Sequence, residues 1–383
     1  MPDPRFVITV PFRTDYYNNY ARVLDAGGRL RKCLLWTRKG IPGIAPEKHS
    51  LCPPLGLLAY AGAKCLSPFA AESFRFSLHP AFDRWSRTKL VPGDHVLSSY
   101  GYANSCFRHA RRHGGKTFLD GGNSHPENFW NLLTEEHRTW GCNYPPISRQ
   151  HYRRALAMME DVDYVLSPSE FVTKSFLERG FRDDQILRVF FPVDLSVFGS
   201  LRTPRPADRP FTVINTGGLS LRKGTPYLLE SFRLIRQAIP NARFLLTESI
   251  TDSIKPILAH YNDLPIEWAS YLPESELAER LRSADLFILP SLEEGLVRTA
   301  LQAMACGLPV ILTPNTGAND YVEEGVNGSV VPLRDPQAIA RAAEWWWEKI
   351  RNGYQVPDDR IGEQLSFGRL EQVLNQHLQR IGE

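Results

Sequence analysis

Two short stretches of the 383-residue chain place charge and glycine where a phosphorylated ligand could be held. The first is Asn215-Thr216-Gly217-Gly218-Leu219-Ser220-Leu221-Arg222-Lys223-Gly224. Two glycines let backbone approach a ligand closely. The adjacent Arg222 and Lys223 suit a diphosphate, which a guanidinium grips bidentately while an ammonium supplies a point charge. Taken alone, the stretch also reads as a tight turn with solvated cations. The second is Glu293-Glu294-Gly295, an acidic turn between the apolar run 286–289, closed by Pro290-Ser291, and an Ala- and Leu-rich helical run ending at Cys306-Gly307. A loop that leaves a strand and enters a helix points free backbone N–H groups and the positive end of the helix dipole at an anion. A carboxylate at the same loop points to a ligand with hydroxyls as well as phosphate.

The elements that position these loops follow from periodicity. In the first half, residues 6–10, 32–36, 95–98, 117–119 and 164–167 read as strands, with helical patterns at 149–160 and 170–180 and a Pro- and Gly-rich loop at 40–60. Residues 200–210, with three prolines, four charges and no apolar period, read as a linker. Alternation then restarts, with strands at 211–216, 242–247, 266–271, 286–289 and 308–313 and helices at 226–239 and 274–283. Leu228, Leu229, Phe232, Ile235 and Ile239 form one buried stripe, and Thr225 before Pro226 is the expected N-cap. Strands alternating with helices predict doubly wound parallel sheets. The fold class is therefore α/β, two Rossmann-like domains facing a central cleft, over residues 1–200 and 208–360.

Bulk properties agree with a globular protein of two domains: 43% of residues are apolar and 23% charged. No apolar run reaches the length of a spanning helix, and no charged start with an apolar stretch after it suggests a signal peptide. The six cysteines form no CxxC pair, so neither a zinc site nor a disulfide framework is expected, and a cytoplasmic setting fits. Residues 1–200 hold 26 Lys and Arg against 19 Asp and Glu, a net +7, while the remainder holds 19 against 23, a net −4. The basic half is either a face for an anionic surface or phosphorylated acceptor, or an ordinarily solvated one.

Together, the loop Gly217 to Gly224, the strand at 284–291, the Glu294-Gly295 block through Ala-Met-Ala-Cys-Gly at 303–307 to Ile311, and the run 323–336 resemble the group 1 nucleotide-sugar glycosyltransferases of the GT-B fold, a retaining, family 4-like class. Residues 163–169, 175–180 and 191–194 extend the resemblance more loosely into the first half. It implies a last helix, about 365–383, crossing back onto the first domain. It implies transfer of a sugar from a nucleoside-diphosphate donor to a glycan or lipid-linked glycan acceptor, in the setting of bacterial surface polysaccharide synthesis. Neither cofactor nor metal is implied, no nucleic-acid partner, and peripheral contact with the inner membrane face through the basic half stays open. By the same resemblance Arg222 and Lys223 hold the diphosphate, helped by Gly217, Gly218 and the backbone after Gly295. Glu294 bonds the donor sugar. Gln302 stands eight residues on, where the family places a ribose-binding Glu, and a helix spanning those eight residues would rise roughly 12 Å. Leu296 and Val297 replace the family's aromatic and Gly, with Val297 beside the donor sugar. Base contacts fall around Glu248, Tyr271 and Leu272. Two rival readings are an epimerase or hydrolase on the same fold, and a non-catalytic nucleotide-sugar binding protein.

Further residues carry two readings each. His125, in Asp120-Gly121-Gly122-Asn123-Ser124-His125-Pro126, is either structural or, as in the family, a hydrogen-bond donor to sugar and phosphate from the opposite wall. Glu135 and Glu136 read as helix-surface charges. Tyr16, Tyr17 and Tyr20 either pack or stack on acceptor sugars. Asp161-Val162-Asp163 has a metal-binding DxD form but lies far from the phosphate loop. Trp345-Trp346-Trp347 cannot share one helix face, which favours packing between helices over a membrane role.

Overall fold

The computed structural model describes residues 5–199, 209–247, 250–270, 272–357 and 360–382. Most of the expected linker, together with Glu248 and Tyr271, lies outside them.

The first sheet has seven parallel strands in the order β3-β2-β1-β4-β5-β6-β7. These are β1 (Phe6–Thr9), β2 (Leu30–Leu35), β3 (His49–Leu51), β4 (His95–Ser98), β5 (Thr117–Asp120), β6 (Tyr164–Ser167) and β7 (Ile186–Arg188). Between them run α1 (Asp15–Ala26), α2 (Pro53–Cys65), α3 (Pro68–Ser77), α4 (His79–Arg87), α5 (Asn104–Arg112), α6 (Pro126–Thr139), α7 (Arg149–Met158) and α8 (Glu170–Leu177), and α9 (Leu195–Phe198) follows β7. The second sheet has six parallel strands in the order β10-β9-β8-β11-β12-β13: β8 (Thr212–Asn215), β9 (Arg243–Thr247), β10 (Ile266–Ala269), β11 (Leu286–Leu289), β12 (Val310–Leu312) and β13 (Gly328–Val330). Its helices are α10 (Thr225–Ala238), α11 (Lys255–Leu258), α12 (Glu274–Ser283), α13 (Arg298–Ala305) and α14 (Pro336–Arg351). Two more follow, α15 (Arg360–Gln364) and α16 (Phe367–Arg380).

The central strands β1, β4, β5 and β11 are buried along their whole length, as parallel strands with both faces covered must be. The stripe from Leu228 to Ile239 is buried against β8 and β9. Helix α16 lies on the first domain. Arg29 donates to Asn375 Oδ1 (3.0 Å), Lys116 to the Ile381 carbonyl (2.9 Å), and the His377 ring meets the Arg188 carbonyl (2.7 Å). Leu365, Leu370, Leu374 and Leu378 join an apolar cluster that is continuous from β1 to β11 and α13, so the two domains share buried surface.

Two local expectations change. Residues 40–60 are not all loop: they hold β3 and the start of α2, whose two leading prolines occupy first-turn positions that need no N–H donor. The N-cap of α10 is Gly224, in a left-handed conformation, and Thr225 is the first helical residue, its hydroxyl accepting from the Ser220 N–H (2.9 Å).

Candidate active site

The loop after β8 and the loop after β11 are tied before any side chain reaches the cleft. The Leu292 N–H donates to the Arg222 carbonyl (2.9 Å), and the Arg222 guanidinium donates to the Glu293 carbonyl (3.0 Å). Gly217 and Gly218 have φ of 110° and 85°, which disfavour any side chain, and their N–H groups donate to Thr247 Oγ1. This pins the turn so that Arg222 and Lys223 converge on one carboxylate. Glu294 lies 3.0 Å from Arg222 and 2.5 Å from Lys223. Thr299, in the first turn of α13, closes the ring toward Gly217 and donates to the Thr216 carbonyl (3.4 Å).

The two neighbouring carboxylates differ electrostatically. Burial would raise Glu294, but Arg222 and Lys223 outweigh it and hold the group below its ordinary value. Glu293 is fully buried, and burial pushes it upward against the opposing pull of Arg222 and of the Ser124 N–H. Lys223 is lowered by burial, with Glu294 opposing. Glu294 is thus the charged partner of the cations, and Glu293 a carboxylate held at the contact between domains.

That contact is close. Ser124 N–H donates to Glu293 Oε1 (2.8 Å), Ser169 Oγ to the Gly295 carbonyl (2.6 Å), and Glu170 N–H to Asp320 Oδ2 (2.7 Å). A Cβ on Gly295 would collide with the Gly122 carbonyl oxygen, so glycine is what allows the two loops to meet. Farther out, Arg334 is the one described non-glycine residue with positive φ (61°), and its Nε donates to Glu136 (2.8 Å). Tyr227 and Trp140 donate to the same carboxylate (2.9 and 2.8 Å). Glu136 is therefore no surface charge, as its place in a helical run suggests, but a fully buried link between domains, with Glu135 beside Arg334 (3.4 Å).

Between the walls lies a cleft of about 540 Å³, lined by Gly217, Gly218, Arg222 and Lys223 on one side and by Asn123, Phe129, Leu133 and Ile147 on the other. That volume falls within the range of small-molecule sites. The other expected residues lie elsewhere. Glu294 sits behind the two cations. Leu296 and Val297 are buried in the apolar cluster just before α13. Only Arg298 onward is helical, so Glu294 and Gln302 are not separated by eight helical residues. Gln302 is buried, its side-chain oxygen without a hydrogen-bond partner. His125 is turned away from the cleft. Its Nδ1 accepts the Glu127 N–H (3.3 Å) to cap α6, its ring packs edge-on to Phe176 (5.3 Å), and burial lowers it to about 4. Tyr17 and Tyr20 are buried, and Tyr16 packs on Phe191 (3.9 Å). Asp161 pairs with Arg108 and Arg111, Asp163 accepts from Thr117, and Trp346 is core.

Reading the residues in order gave no role to Glu293, Thr299 or Asp120. Asp120 ends β5, where a carboxylate at a strand's C-terminus was the available signal. It is buried beside Tyr17, which bonds it, and burial pushes it up to about 7.

Residues 210–349 match the family model for Glycosyl transferases group 1. The match covers most of the second domain, and the two parallel-sheet domains have the GT-B architecture. The chain superposes on sucrose-phosphate synthase from Thermosynechococcus elongatus with a TM-score of 0.66 at 18% identity, covering 99% of each chain. It superposes on Anabaena HepE, solved with UDP and glucose, with a TM-score of 0.66 at 14% identity, covering 98% of this chain and 100% of that one. By sequence it is 28% identical over 213 residues to a putative colanic acid biosynthesis glycosyltransferase, WcaL, of Salmonella typhimurium, covering 53% of this chain and 50% of that protein. It is 28% identical over 142 residues to the amylovoran biosynthesis glycosyltransferase AmsK of Erwinia amylovora, covering 34% and 35%. The matched segments span about half or less of these relatives' length.

Proposed function

We propose that the protein is a retaining, metal-independent glycosyltransferase that moves a sugar from a nucleoside-diphosphate donor to a glycan or lipid-linked glycan, in bacterial surface polysaccharide synthesis. The observation that carries this is the convergence of Arg222 and Lys223, from one loop, on Glu294 at the entrance to α13. Two cations on one carboxylate are a pre-arranged anion site. A donor diphosphate takes over both cations and frees Glu294 to bond the sugar. The cations and the α13 N-terminus then stabilise charge on the departing diphosphate without reorganising. In front-face transfer a leaving phosphate oxygen accepts the acceptor's proton, which accounts for retention without a protein base beside the reacting carbon. Gln302 offers a buried, unpartnered oxygen suited to a ribose hydroxyl. The neighbour solved with UDP and glucose makes UDP-sugars the first donors to try.

The test is calorimetry of UDP, GDP and ADP binding to the wild type and to Arg222→Ala/Lys223→Ala, with thermal unfolding in parallel. The double variant is expected to lose at least about 100-fold in affinity, since each charge-assisted bond contributes roughly 1.5–3 kcal/mol. Unchanged affinity removes the phosphate placement. Incubation of donor sugars with and without glycan acceptors then separates transfer from isomerisation or hydrolysis, and product anomer analysis decides retention.

A further inference from the structure

We propose that α2 docks on an anionic lipid surface, setting the outer wall of the cleft against it. An apolar helix is normally buried on all sides. Helix α2, Pro-Pro-Leu-Gly-Leu-Leu-Ala-Tyr-Ala-Gly-Ala-Lys-Cys, has Lys64 as its only charge and Gly62 as its only buried residue. Leu57, Leu58 and Tyr60 are 45%, 49% and 61% exposed, and Leu66, just beyond the helix, is 42% exposed. Two glycines seat the helix. Gly56 lies against the Trp36 carbonyl and Gly62 against the Phe74 ring of α3, so the leucines are left facing outward. A contiguous apolar patch of this kind marks an interaction site.

Charge selects the occupant. From residue 53 to 90 the exposed charges are Lys64, Arg75, Arg84, Arg87 and Lys89, all positive. Arg38 and Lys39, also exposed, follow the Trp36 that seats α2. Of the two acids in that run, Glu72 is only partly exposed, and Asp83 is buried, bonded to Ser105 and Arg154. An apolar helix in a segment whose exposed charges are all positive, with Arg75 alone of them paired to an acid, Glu72 (3.7 Å), fits the boundary between anionic headgroups and acyl chains. A second copy of the same face would set like charges together. No helix among the described residues is long and apolar enough to cross a membrane.

The position gives the contact a purpose. Helix α3 packs on α2 and carries Glu72 to the edge of the cleft and Phe76 into an adjoining cavity of about 180 Å³, lined also by Tyr102, His151, Tyr152 and Ser124. Asn123, Phe129 and Ile147 line both spaces. A lipid-linked glycan held at the membrane would reach the cleft from this side. That use rests on the proposed transfer, whereas the lipid contact does not.

The test is co-sedimentation of the full chain with phosphatidylcholine vesicles, with and without phosphatidylglycerol. Binding is expected only to the anionic vesicles, and is expected to weaken as salt rises. Leu57→Glu/Leu58→Glu should abolish it and Lys64→Glu/Lys89→Glu should lower it at least fivefold, both with unchanged thermal unfolding and UDP affinity. Equal binding to both vesicle types, or none, overturns the proposal. So does a wild-type dimer that Leu57→Glu/Leu58→Glu splits, which would assign the patch to self-association. A chain that binds vesicles but no nucleoside diphosphate sinks the donor reading and leaves this one standing.

Discussion

The two walls of the cleft are built on opposite plans. The second-domain wall is charged and local. Gly217, Gly218, Arg222 and Lys223 lie within seven residues, and the loop after β11 completes the site with Glu294. The first-domain wall is largely aromatic and apolar, and it is gathered from distant segments. His151 from α7 stacks on Phe76 from α3 (4.0 Å), and burial lowers it to about 3. Deeper in the same domain, buried Asp120 from β5 sits beside buried Tyr17 from α1. One wall is suited to hold an anion strongly. The other is suited to exclude water and discriminate by shape. A motif of consecutive residues carries its own geometry, whereas a wall assembled from several helices exists only once they are packed.

The most far-reaching expected effect comes from separating the walls. Gly295→Ala should destabilise the closed arrangement by about 2–3 kcal/mol, because its Cβ would strike the Gly122 carbonyl and strain the Ser124–Glu293 and Ser169–Gly295 hydrogen bonds. A lower unfolding temperature and a larger radius in small-angle scattering are the readouts. If neither changes, the two loops do not meet as described.

The interior of the first domain is tested through Asp120. Its pKa is about 7 in the folded chain and near 3.8 when exposed. Between about pH 4 and 7 the folded state therefore holds a proton that the unfolded state has released. Stability falls as pH rises through that window. Asp120→Asn should remove this slope and raise stability at pH 8 by roughly 2–4 kcal/mol. Denaturant unfolding that shows the same slope in both proteins would mean that Asp120 is not held neutral.

The smallest effect belongs to the charged wall. Gln302→Glu places a carboxylate where the unpartnered amide oxygen now lies, and should tighten nucleoside-diphosphate binding by about threefold to tenfold if a ribose diol meets it. Calorimetry that finds no gain assigns Gln302 another role.

Much of the donor wall was legible because its information is local: Arg222-Lys223 after one strand, Glu294-Gly295 after another, and a buried stripe from Leu228 to Ile239. The side-chain directions were not. His125 stands in a suggestive loop, yet Phe176 on α8 and Phe181 just beyond it give its ring an aromatic surface to pack on. Val297 and Leu296 follow the acidic turn, yet packing against α13 and the shared apolar cluster claims them. Helix α2 was hidden by its prolines and glycines, which mark loops in most contexts but here occupy a first turn and two close contacts.

By itself the sequence determined the alternation of strands and helices, the division into two α/β domains and the grouping of cations with a carboxylate on the second of them. Each of these depends on periodicity or on neighbours in the chain. Only the tertiary structure decided that Glu136 would be a buried interdomain link, that Asp120 would be pushed up in pKa, and that the leucines of α2 would face outward. Burial and partner choice arise from surfaces that meet across tens to hundreds of residues, and no local pattern specifies which of them will meet.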